Sequence, residues 1–145
     1  LKLFTDNIKI IIPFCEKYKI KILIEPEPEL LIENSNELEE FFKICKSDFV
    51  GFNLDLGHFF CVKEEPAKVI LKWNKKIDHI HIEDIAKNRK HYHLIPGHGA
   101  INFASIFKAL KKINYKGWVT VELYPYQDTP FEAAQEAYYF LSKFI

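Results

Sequence analysis

IDHIHIED, residues 77–84, alternates in a way that decides how the chain folds: Ile80 and Ile82 point to one side of an extended segment, His79 and His81 to the other. The segment reads as a strand over 77–82, with His81 at its downstream end and His79 one layer deeper. The same ending recurs outward along the chain. KILI at 21–24 runs into Glu25, VGFNL at 50–54 into Asp55, and WVTV at 118–121 into Glu122. Each apolar, β-rich run therefore stops at an acidic or imidazole side chain.

Amphipathic segments separate these strands. NIKIIIPFCEKY at 7–18 has a helix pattern disturbed by Pro13, which predicts a kink or a late start. A strand over 20–24 then stops where Pro26 and Pro28 forbid further pairing within a sheet. Asn36 and Glu39 suggest a capping box for a helix to about Lys46, with Leu38, Phe41, Phe42 and Cys45 as its buried stripe. After the strand at 49–54, Gly57 reads as a break, and 64–74 reads as a helix carrying Val69, Ile70 and Trp73. Residues 86–100 form the longest loop, rich in histidine and turned by Pro96, Gly97 and Gly99. Asn102 caps a helix with Phe103, Ile106, Phe107, Leu110 and Ile113 on one face, and a last helix follows the 118–123 strand over 131–144. Helices between strands require parallel pairing with right-handed crossovers.

Parallel strands present their working surface at their carboxyl ends. Glu25, Asp55, His81 and Glu122 all stand there, offering oxygen and nitrogen donors without thiolate. That set suits one divalent ion, Mn²⁺, Mg²⁺, Co²⁺ or Zn²⁺. Asp55-Leu56-Gly57-His58 adds an imidazole past a flexible turn, so His58 is expected to face the same cavity. In the loop, Lys87 and Arg89 are solvated charges within reach of an anionic substrate. His91, His93 and His98 cluster at a turn, with His93 the candidate for the cavity and His98 expected at the surface. Asp84 either orients a ring nitrogen or caps the loop.

The bulk composition narrows the partners. The 145 residues are 48% hydrophobic and carry 20 basic against 20 acidic side chains, so one folded domain is expected and no net field draws it to nucleic acid or membrane. Arg89 is the single arginine, which limits bidentate grips on phosphate. Cys15, Cys45 and Cys61 show no paired spacing, and with no leader or spanning segment the expected setting is cytoplasmic.

In order along the chain, ILIEPEP, NLDLGH, HIHIED, HYHLIPGHGAINF and YKGWVTVEL together resemble the xylose isomerase-like barrel superfamily, which includes sugar phosphate isomerases/epimerases and endonuclease IV-type repair enzymes. The resemblance implies a (β/α)8 TIM barrel of which residues 1–145 supply about the last four β/α units as a single domain, the N-terminal half being missing. It also implies a divalent metal held by Glu25, Asp55, His81 and Glu122, with Glu27 as a stand-in for Glu25. His58, Lys87, Arg89 and His93 would face a small sugar or polyol substrate. Glu25 and Glu122 would move the proton next to a carbonyl through a metal-stabilised enediolate, as in the isomerases and epimerases. The alternatives are an abasic-site phosphodiesterase, whose second metal cluster has an Asp-x-His pair where this chain has His91-Tyr92-His93, and a non-catalytic metabolite-binding relative. Half a barrel would expose strand edges, so dimerisation or association with the other half is expected.

Overall fold

The computed structural model describes residues 1–145. The elements are α1 (Lys2–Tyr18), β1 (Ile22–Ile24), α2 (Ser35–Ile44), β2 (Val50–Asp55), α3 (Leu56–Cys61), α4 (Pro66–Trp73), β3 (Ile77–Ile82), α5 (Phe103–Lys112), β4 (Val119–Val121) and α6 (Pro130–Leu141). The strands form one parallel sheet in sequence order, β1-β2-β3-β4. A helix follows each strand, which is the layout of consecutive (β/α) barrel units.

The main core lies between the sheet and its helices. Every residue of β2 is buried. Phe52 and Leu54 are buried completely, together with Leu38 and Phe41 of α2, Ile70 of α4, Ile80 and Ile82 of β3 and Ile106 of α5. Pairing in β2 and β3 explains the opposite face. Phe52 aligns with Ile77, whereas Asn53 aligns with His79 and Asp55 with His81, so the register slips by one residue between them. This bulge leaves Asn53 and Asp55 in the same rows as the two histidines. Gly51 makes room for the extra residue, because a Cβ there would lie 1.8 Å from Asp78 Oδ2.

Local structure departs from the sequence expectation at three helices. The first begins at Lys2 and runs through Pro13, ending at Lys19 in the left-handed region at φ 57°. One missing amide does not stop a helix that retains the bonds on either side. The second is capped by Asn34, whose side chain accepts from the amides of Asn36 (3.0 Å) and Glu37 (3.2 Å), so Asn36 is a first-turn residue and not the cap. The third, α3, was not expected. Asp55 caps it by accepting from the His58 amide at 2.8 Å, and Gly57 lies within its first turn.

Asp84 settles the 86–101 loop. Its carboxylate accepts from the amides of Ile85 (2.9 Å), Gly97 (3.0 Å), Gly99 (2.8 Å) and Ile101 (3.0 Å), while its backbone exchanges two hydrogen bonds with Leu94. It therefore caps the loop, and no ring nitrogen is among its partners. Close approach at Gly99 is obligatory, since a Cβ would meet Asp84 Oδ1 at 2.3 Å. Asp84→Ala strands four amides, those of Ile85 and Ile101 in buried surroundings, and a loss of about 3 kcal/mol is expected in urea unfolding. An unchanged midpoint would contradict this account of the loop.

Two ends of the sheet lack cover. β1 and β4 each pair on one side only. Leu3, Ile10 and Phe14 of α1, and Phe131, Tyr138 and Tyr139 of α6, are exposed. No helix is long and apolar enough to cross a membrane.

Candidate metal centre

At the carboxyl ends of the strands, one donor atom from each of Glu25, Asp55, His81 and Glu122 lies within 4.8 Å of the other three. The parallel register produces this convergence: Asp55 pairs with His81, and the residues before Glu25 and Glu122 are paired at the ends of β1 and β4. His81 Nδ1 lies 2.9 Å from Glu25 Oε1 and 3.3 Å from Glu122 Oε2. Asn53 Nδ2 approaches the same nitrogen at 3.3 Å. Glu27 does not belong to the converging group.

The electrostatics suit a bound cation. Asp55 is fully buried, its Oδ2 has no hydrogen-bond partner, and burial pushes its carboxyl up to about 7. Burial also works to raise Glu25, but the hydrogen bond and charge of His81 prevail and hold it below the usual range. The bond to Glu25 in turn raises His81. Three carboxylates and one imidazole thus gather around a point where either shared protons or a divalent cation must supply the compensation. Oxygen donors with one imidazole nitrogen, and no thiolate, suit a hard or borderline divalent ion.

Two histidines beyond this group, His58 and His93, are oriented by backbone carbonyls. His58 Nδ1 lies 2.9 Å from the Pro26 carbonyl, and His93 Nδ1 lies 3.0 Å from the Glu122 carbonyl. A carbonyl only accepts, so both Nδ1 atoms carry the proton and both Nε2 atoms are acceptors, that of His93 already taking a hydrogen bond from His91 Nε2–H. Burial pushes His58 down to about 4 and lowers His93 as well. His58 Nε2 stands 3.7 Å from Asp55 Oδ2, and the His91 and His93 Nε2 atoms are 3.2 Å apart. Donor atoms of His58, His91 and His93 also converge within 4.8 Å.

Lys87 is exposed. Arg89 stacks on the Phe60 ring at 4.0 Å and donates to the Phe60 carbonyl, pinning the loop to α3, so contact with a substrate would require giving up that bond. His98 pairs with Glu136 at the surface, 2.7 Å away. His79 accepts or donates across the sheet to Thr120 Oγ1 at 2.9 Å.

Three residues of this region escaped the sequence reading. Asn53 lies on the inner face two residues before Asp55, a signal the period of two carried. Tyr124 closes on His93, with ring centroids 4.7 Å apart. Glu83 is wholly buried, with both carboxyl oxygens unpartnered and its carboxyl held well above the usual range by burial and by Asp55. It also follows His79 and His81 at the strand spacing.

Residues 1–144 match the family described as xylose isomerase-like TIM barrel. An inosose dehydratase of Clostridium beijerinckii is 27% identical over 154 residues, covering 94% of this chain and 52% of that protein. Among solved structures, a D-tagatose 3-epimerase-like protein superposes with a TM-score of 0.84 at 27% identity over 97% of this chain and 52% of its own. The IolI protein with a bound zinc atom gives 0.79 at 27% identity, over 97% and 56%. The chain spans about half the length of these relatives.

Proposed function

The chain belongs to the xylose isomerase-like TIM barrels, and from that footing we propose that it forms the metal-holding side of an enzyme mouth that moves a proton next to a carbonyl in a sugar or polyol. The observation that carries this is the convergence of Glu25, Asp55, His81 and Glu122 at the ends of four consecutive strands. These four side chains would hold one divalent ion. When bound, such an ion supplies a Lewis acid for oxygens adjacent to the reacting carbon.

The chain's own residues do the rest. Asp55 and His81, the more buried pair, orient the seat. Glu25 and Glu122 remain partly open to solvent and can exchange a proton with a carbon held between them. His58 presents an Nε2 lone pair that accepts a hydrogen bond from a substrate hydroxyl, His93 does so where the hydroxyl replaces His91 as its donor, and exposed Lys87 offers a cation to an anionic group. The unpaired edges of β1 and β4 are where the remainder of a barrel would join.

Epimerisation is the preferred outcome because two carboxylates flank one point. Dehydration is the second reading, favoured by the inosose dehydratase relatives. Both begin with the same proton abstraction. Sugar and polyol names among the relatives favour either over a phosphodiesterase. The test is to incubate the intact protein with a ketose or an inosose in deuterated water. Deuterium at the carbon beside the carbonyl with recovery of the epimer supports epimerisation, and an unsaturated product supports dehydration. Absence of exchange with every such substrate overturns the proposal.

Protons and the cation compete for the same donors. With Asp55 at about 7 and His81 raised, both must release protons as the ion enters. Cation affinity is therefore expected to fall as pH drops below about 7 and to level off above it. Titration calorimetry in buffers of unlike ionisation heat would show proton release near neutrality. An affinity flat across that range contradicts the seat as described.

A further inference from the structure

The zero net charge conceals a separation along the strand axis. Eleven of the nineteen lysines fall in four short stretches, KYKIK at 17–21, KICKSD at 43–48, KWNKK at 72–76 and KKINYK at 111–116. Each stretch ends a helix and turns toward a strand: α1 into β1, α2 into β2, α4 into β3 and α5 into β4. Because the four strands are parallel, all four turns lie on one rim, opposite the metal centre. All of these lysines except Lys76 are exposed. Acidic side chains gather at the other end, where the loop after β1 alone carries Glu25, Glu27, Glu29 and Glu33.

Lysine at a helix carboxyl end is ordinary, since each helix places about half a negative charge there. Magnitude decides how far that goes. The four helix ends supply about two negative charges. Glu16 and Asp48 add two more. Asp78, paired with Lys21 at 2.5 Å, and Glu39, which reaches Lys43 and Lys72, complete the opposing set. Against eleven lysines, roughly five positive charges are left over. Tyr18, Ile20 and Ile44 stand exposed among the lysines. Point charges spread around a rim, with apolar side chains between them and no arginine, suit a flat sheet of anionic headgroups better than the grooves of a nucleic acid. We propose that this rim docks on an anionic lipid bilayer and holds the strands end-on, with the metal centre facing the solution. The docking needs neither the metal nor the proposed reaction.

The experiment sediments the intact protein with vesicles of phosphatidylglycerol and phosphatidylcholine, and with vesicles of phosphatidylcholine alone. Binding to the mixed vesicles only is expected, falling about tenfold or more as salt rises from about 0.05 M to about 0.3 M. Each engaged lysine contributes about a fivefold gain, so Lys46→Glu, Lys75→Glu and Lys112→Glu together should weaken binding by about 100-fold or more. Lys63→Glu, Lys68→Glu and Lys90→Glu change the net charge equally from exposed positions outside the rim, and should leave binding within about threefold of wild type. None of these six lysines forms an ion pair, so the fold should survive both sets. The lipid and salt dependence of wild type tests the docking even if a triple variant does not fold. Equal binding to phosphatidylcholine alone, equal losses in the two triple variants, or no binding to either vesicle overturns the proposal. Tighter binding to duplex DNA than to the mixed vesicles also overturns it, by making the rim a nucleic-acid surface.

Discussion

Glu122→Gln and Glu25→Gln are each expected to lower proton exchange at the substrate carbon by about 10²- to 10⁴-fold, the range for removing a positioned general acid or base. Both side chains are partly exposed and glutamine is nearly isosteric, so the fold should survive either change. Each variant also loses one of the oxygens that close on His81 Nδ1. Metal affinity should fall, and the two effects separate by experiment. Saturating metal restores occupancy but leaves exchange slow if the carboxylate moves the proton. Full recovery of exchange at saturating metal would leave the glutamates as ligands only. Because they act on one carbon, the double variant should be scarcely slower than the worse single one.

Phe52→Ala is expected to cost about 3–5 kcal/mol of stability, the largest loss from any single truncation considered. Phe52 has no exposed surface and meets Phe59 and Trp73 edge-on, with centroids 5.8 and 5.9 Å away. Alanine would leave a cavity where α3, α4 and the sheet meet. Its position adds a functional consequence: the bulge that aligns Asn53 and Asp55 with the histidines begins at this residue. Urea unfolding should show a much lower midpoint, with weaker cation binding in the folded variant. Phe131→Ala, at a side chain 72% exposed, provides the contrast and should change little. Equal effects at the two sites would contradict the placement of the core.

The fold was legible because its strands are short β-branched runs broken by helices, a pattern that permits few arrangements. The convergence of Glu25, Asp55, His81 and Glu122 was legible for a related reason, since strand ends in a parallel sheet lie on one rim. What escaped depends on tertiary contact. Gly57 reads as a breaker by propensity, yet it lies in the first turn of a helix because the Asp55 side chain supplies the cap and Glu83 needs the space. Asn34 and Asn36 are equally good caps on paper, and only the chain's entry into α2 separates them. Glu83 is a charged residue type in full burial, against every prior for its kind. Arg89 reads as a rim cation until Phe60 is seen beneath it.

The central claim is that four strand-end side chains share one cation. It is tested most directly by crystals of the intact protein grown with Mn²⁺ and measured for anomalous scattering. A single strong peak ligated by Glu25, Asp55, His81 and Glu122 is the predicted result. A map with no peak there, or with the ion held only by His58, His91 and His93, would contradict the account.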